Sequence, residues 1–66
     1  MAKKSLRLSW VWVWELDEDG ERVGLALEPE IRTHREDDVL RTELAREINL
    51  PADRMQIVQM RWSADF

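Results

Sequence analysis

The sequence predicts a small α+β domain of ββαβ order: a three-stranded, mainly antiparallel sheet in the order 2-1-3, with one helix packed on one face. Three observations carry this. The run Leu6-Arg7-Leu8-Ser9-Trp10-Val11-Trp12-Val13-Trp14-Glu15-Leu16 alternates at period two, the signature of a strand with two distinct faces. Asp19-Gly20 separates it from a second alternating run, Val23, Leu25 and Leu27, as in a β-hairpin. A helical stripe then lies between a capping signal at Thr33–Glu36 and a stop signal at Asn49-Leu50-Pro51.

Strand one is expected over 6–16. Its period sends Leu6, Leu8, Trp10, Trp12, Trp14 and Leu16 to one face and Val11 and Val13 to the other. Asp19-Gly20 as a two-residue type I′ turn places Leu16 opposite Val23, Trp14 opposite Leu25 and Trp12 opposite Leu27, with Asp17 beside Arg22 and Val13 beside Ala26. A four-residue loop over 17–20 keeps the same parity; a three-residue loop mismatches the faces. Strand two is expected over 21–28 and ends at Pro29, which lacks a ladder donor.

The helix is expected over 34–48. Thr33 and Glu36 suit a capping box, and Asp37 and Asp38 suit the positive helix end. Val39, Leu40, Leu44, Ala45 and Ile48 form its apolar stripe, and Asp37 and Arg41 an i,i+4 pair. Asn49 suits the left-handed residue after the helix, with Leu50 packing back. A short turn over 51–54 leads to strand three, 55–62, with Val58, Met60 and Trp62 on one face and Ile57 on the other. Residues 1–5 read as a flexible N-terminus and 63–66 as a short tail.

Placing strand one centrally shields its tryptophans from edge pairing. The tryptophan row is the largest apolar surface available to the helix stripe, so Trp10, Trp12 and Trp14 are expected in the core. Val11, Val13, Ala26 and Ile57, rimmed by Arg7 and Arg61, then form an uncovered outer face. An apolar centre with a charged rim is the anatomy of a partner surface.

From strand two to strand three, over roughly 22–58, the chain resembles the ubiquitin-like β-grasp family. Leu27-Glu28-Pro29 is similar to the Glu-Pro exit from that family's second strand. Val39, Leu44 and Leu50 repeat a similar helix spacing. Leu50-Pro51-Ala52-Asp53-Arg54-Met55-Gln56-Ile57-Val58 resembles the family stretch Ile-Pro-Pro-Asp-Gln-Gln-Arg-Leu-Ile without gaps. The family continues past its third strand, and its conjugating members end in a double glycine. This sequence ends Ser63-Ala64-Asp65-Phe66, so the resemblance does not imply conjugation. The family's apolar recognition position falls on Val58, which the alternation here sends to the core.

Sixty-six residues with 44% hydrophobic and 36% charged content fit one globular domain, 1–66. Cysteine is absent, which removes disulfides, thiolate metal sites and thiol nucleophiles. His34 reads as a solvated first-turn residue, and no serine lies in a triad-like spacing with it. Gly20 and Gly24 make no phosphate loop. The expectation is therefore no enzyme, no catalytic residue, no cofactor and no metal. A net charge of −4 disfavours nucleic acid. No apolar run approaches the length of a membrane span, and a cytoplasmic location is the default.

The sequence thus reads as a non-catalytic protein–protein interaction module, such as an adaptor or an inhibitor of a larger protein of the kind phages and mobile elements encode. It would bind a protein, or itself, through the outer sheet face or an edge strand. An engineered scaffold is one alternative, given the tidy turn and caps; a single-stranded nucleic-acid binder using the tryptophan row is another.

Overall fold

The computed structural model describes the backbone of residues 5–65 and the side chains of residues 7–61. Strands β1 (Ser5–Leu16) and β2 (Arg22–Thr33) are followed by helix α1 (Asp37–Glu47), a single 3₁₀ turn (Ala52–Arg54) and strand β3 (Met55–Asp65). They form one three-stranded sheet in the order β2-β1-β3, all antiparallel neighbours, with one helix. This is the expected ββαβ, α+β arrangement. Residues 63–65, expected as a tail, continue β3 and pair with Arg7, Leu6 and Ser5. Most of the N-terminus expected to be flexible, residues 1–4, lies outside the described residues.

The two ladders differ. β1 and β3 pair without a slip from Ser5↔Asp65 to Glu15↔Met55. The β1–β2 ladder shifts three times, at Val11/Val13, Val13/Trp14 and Glu15/Leu16. Twelve residues of β2, from Arg22 to Thr33, therefore match nine of β1, from Leu8 to Leu16. Each shift is a one-residue bulge that bends β2 and increases its twist. Trp14↔Leu25 is paired as expected, but Val13 meets Leu27 rather than Ala26, and Leu16 meets Arg22 rather than Val23. Pro29 does not end the strand. It sits where β2 bulges opposite Trp12, on a sheet edge, where a missing N–H breaks no ladder bond.

The hairpin turn also departs from expectation. Asp17 N–H donates to the Glu21 carbonyl at 2.9 Å, and Gly20 N–H to the Asp17 carbonyl at 3.1 Å. Gly20 has φ 84°, while Asp19 is not among the residues of positive φ. The loop is therefore Glu18–Asp19–Gly20, with glycine in the left-handed position, and not a type I′ turn. The Asp17 carboxylate accepts from Asp19 N–H and Glu21 N–H, both at 2.9 Å, which favours this geometry. The odd loop length mismatches the two strands by one residue, and the bulge at Val23 restores parity.

The helix is shorter than expected. Thr33 belongs to β2, and α1 begins after Glu36, which makes no side-chain cap. Its exit is as expected: Asn49 has φ 53°, and Leu50 N–H donates to the Ala45 carbonyl at 3.2 Å, a Schellman-type closure. Arg41 does not pair with Asp37. It donates to the Ala52 and Met55 carbonyls at 3.0 and 3.3 Å, tying the helix to the start of β3.

The helix covers the face opposite to the one the hydrophobic pattern favours. Val11, Val13, Leu40, Leu44 and Met55 form the buried core, with Ala26, Leu27, Ala45, Ile48, Leu50, Ala52 and Ile57 packed around it. The helix thus lies on the valine face, and the tryptophan face is open. Val39, expected in the helix stripe, is 43% exposed.

The cause is the hand of the crossover. β2 and β3 are parallel to each other, and α1 links them across β1; such connections are right-handed in about 98% of cases. The Arg7 carbonyl accepts from His34 N–H at 2.9 Å, so the odd residues of β1 direct their backbone groups toward β2. For L-residues, this orientation puts the odd side chains on the face over which a right-handed β2–α1–β3 path passes. Apolar bulk did not decide the matter; chain chirality did.

Candidate functional site

The open face is a three-row apolar surface. Trp10 lies between Ile31 and Met60, Trp12 beside Val58, and Trp14 between Leu25 and Gln56. These pairs contain no ionisable side chain. Trp10, Leu25, Ile31 and Met60 are 42%, 46%, 48% and 57% exposed, and Trp12 and Trp14 are half-buried. Scattered exposed apolar residues need no explanation; a contiguous patch three strands wide on a chain this small does.

One end of the patch is capped. The Arg22 guanidinium sits over the Trp14 ring, 4.6 Å from its centroid, and donates from Nε to Gln56 Oε1 at 2.7 Å. It spans from β2 to β3 across the central strand. It does not meet Asp17, which is occupied within the turn. This leaves Trp10 and Trp12, flanked by Ile31 and the Glu28–Pro29 bulge on β2 and by Val58 and Met60 on β3, as the accessible part.

The residues expected to form a partner surface are placed otherwise. Val11 and Val13 are wholly buried beneath Leu40 and Leu44, and Ala26 and Ile57 pack around them. A partner reaching those four would have to displace the helix. Arg7 and Arg61 are exposed, on the helix side of the sheet beyond this core. Sequence reasoning noticed the tryptophans but put them inside. The right-handed crossover rule, applied to the 2-1-3 order together with the ladder's hydrogen-bond parity, is the signal that separates the two arrangements.

The helix side is polar and tightly cross-linked. Arg32 forks onto Glu47, with Nη1 and Nη2 each 2.7 Å from a carboxylate oxygen, and Nη2 also reaches Glu30 at 3.0 Å. Hydrogen bonding to Glu47 holds Arg32 further into its protonated state, against the opposing effect of burial. The same bonds lower the Glu47 carboxyl below the ordinary carboxylate range. Glu47 lies in the last helical turn, where a carboxylate is unfavourable, and Arg32 offsets that. Gln59 of β3 brackets the helix entrance, donating to the Arg35 carbonyl at 3.1 Å and accepting from Arg35 N–H at 3.4 Å.

His34 is half-buried outside the helix, with Nδ1 3.0 Å from the Oγ of fully buried Ser9. No carboxylate completes this pair into a catalytic relay among its described hydrogen bonds. Two shallow depressions of about 310 and 330 Å³ flank the helix, one against Ile57–Gln59 and one against Arg32 and Glu47. Among the described residues, no group of histidines and carboxylates is placed to hold a metal ion, and no helix is long and apolar enough to cross a membrane.

Comparison with known proteins found no matching family model, no matching curated protein and no matching solved structure.

Proposed function

We propose that this chain is a non-catalytic protein-interaction module whose contact surface is the open sheet face around Trp10 and Trp12. The observation that supports this is the apolar patch itself: indoles along the central strand, Met60 beside Trp10, uncharged cross-strand pairs, and an antiparallel ladder rather than loops beneath it. Trp and Met are enriched at the centres of protein interfaces, and charged residues are depleted there. A nucleic-acid strand would also stack on indoles, but such sites pair their aromatics with a basic groove. Here the cation at the patch is Arg22, already engaged by Trp14 and Gln56.

The test places a photo-crosslinking side chain at position 60, on the open face, or at position 43, on the helix. The cross-linked proteins, including any second copy of the chain, are then resolved by mass. The reading expects adducts from position 60 and background from position 43. Equal yields from the two positions refute it.

A further inference from the structure

We infer that the occupant of the open face is a second copy of this chain, packed sheet on sheet about a two-fold axis. This rests on the contact-face reading and adds the identity of the partner.

Charge is the first argument. The chain carries a net −4, so two copies repel unless their facing surfaces exclude the acidic residues. The structure makes that separation. Asp17, Glu18, Asp19 and Glu21 lie at the hairpin turn, and Asp37, Asp38, Glu43 and Glu47 on the helix, while the cross-strand pairs around Trp10, Trp12 and Trp14 are uncharged. The exceptions lie on β2: Arg22 at one end, and Glu28 in the bulge opposite Trp12. A two-fold axis parallel to the strands sets each of them over the partner's β3 row, where Gln56, Val58 and Met60 are uncharged.

Area is the second. Three strands about 4.8 Å apart, over nine residues of about 3.3 Å each, give roughly 400 Å² of plane per copy before side-chain relief. Two such faces amount to roughly 800 Å² of plane in total, which side-chain relief raises toward the size of weak, transient interfaces. Area alone does not set affinity, so the test spans a wide range of concentration.

The third argument is the one-sidedness of the core. The five buried apolar side chains among the described residues, Val11, Val13, Leu40, Leu44 and Met55, all belong to the helix-side core. A domain below roughly 70–80 residues gains little margin from one such core, and a second sheet stacked about 10 Å away supplies another.

Sedimentation equilibrium between about 1 and 300 μM, the range that brackets a micromolar constant, tests this. The mass is expected to rise toward twice the monomer's, and the tryptophan emission to shift to the blue with it. Trp12→Glu and Met60→Glu should each hold the mass at one chain, and Glu43→Gln should leave the dimer intact. Met60 is 57% exposed, so its substitution serves if Trp12→Glu fails to fold. A wild-type mass of one chain throughout, or a dimer that survives Met60→Glu, overturns the inference. A monomer that still cross-links other proteins from position 60 overturns the dimer alone. A monomer with equal yields from positions 60 and 43 overturns both readings.

Discussion

Substituting Val13 by glutamate separates the two ways the helix could sit on this sheet. Val13 is wholly buried against Leu40 and Leu44. Replacing it forfeits about 1.5–3 kcal/mol of apolar burial. It also puts a carboxylate where no cation waits, at a further cost of several kcal/mol, as ionisation or as a raised pKa. The sum is about 5 kcal/mol or more. A 66-residue domain holds roughly 3–10 kcal/mol in all, so Val13→Glu is expected to be largely unfolded at neutral pH. Met60→Glu, compared with wild type at a concentration where both are single chains, is the control. It replaces an equally apolar residue that is already 57% exposed, at a cost of about 1 kcal/mol. Urea titrations followed by far-ultraviolet circular dichroism report both. Were the helix over the tryptophans, Val13→Glu would be the mild change. A Val13→Glu chain that unfolds near the wild-type urea midpoint would refute the arrangement described here.

Three further outcomes follow from single contacts. Glu47 has its folded pKa lowered by Arg32, so its stabilising contribution is present above the unfolded value of about 4.3 and is lost as pH falls through the lower folded value. The urea midpoint should therefore drop in acid more steeply for wild type than for Glu47→Gln, and parallel curves would contradict the linkage. Asn49 sits at φ 53°; Asn49→Gly should be neutral or stabilising, and Asn49→Val should cost about 1–2 kcal/mol, as read by thermal melts. Gly20, at φ 84° with open space around its Cα, should lose about 1 kcal/mol as Gly20→Ala through backbone strain alone; an unchanged melting temperature would show that the loop relaxes to another turn type.

Where local chemistry decides, the chain was legible. The hairpin position, the strand order, the left-handed Asn49 and the start of β3 at Met55 follow from turn residues, edge protection and a helix stop, each acting over a few positions. Two local signals were outcompeted. Thr33 could have capped the helix, but pairing with Leu8 keeps it in β2. Asp19-Gly20 could have formed a type I′ turn, but the Asp17 carboxylate bonds to two loop amides and favours the longer loop. The bulges were hidden for a related reason: an extra residue in an edge strand costs little, so alternation in Val23, Leu25 and Leu27 did not reveal where pairing slips. Hydrophobic pattern shows that a strand has two faces, and it ranked the indole face above the valine face. The hand of the crossover selects between them regardless of rank. The candidate surface moved accordingly, from Val11 and Val13 to the tryptophans on the reverse.

The unequal ladders leave the sheet with two unlike borders. Along β2, Pro29 and three bulges break the row of free amides and carbonyls. Along β3, the segment Met55-Gln56-Ile57-Val58-Gln59-Met60 is straight, uncharged and free of proline and glycine, the composition that recruits further strands. A strand arriving from solution therefore finds one usable border. Two chains joined there would present only their β2 borders outward. The irregularity of β2 would thus end any such edge-to-edge growth at a pair.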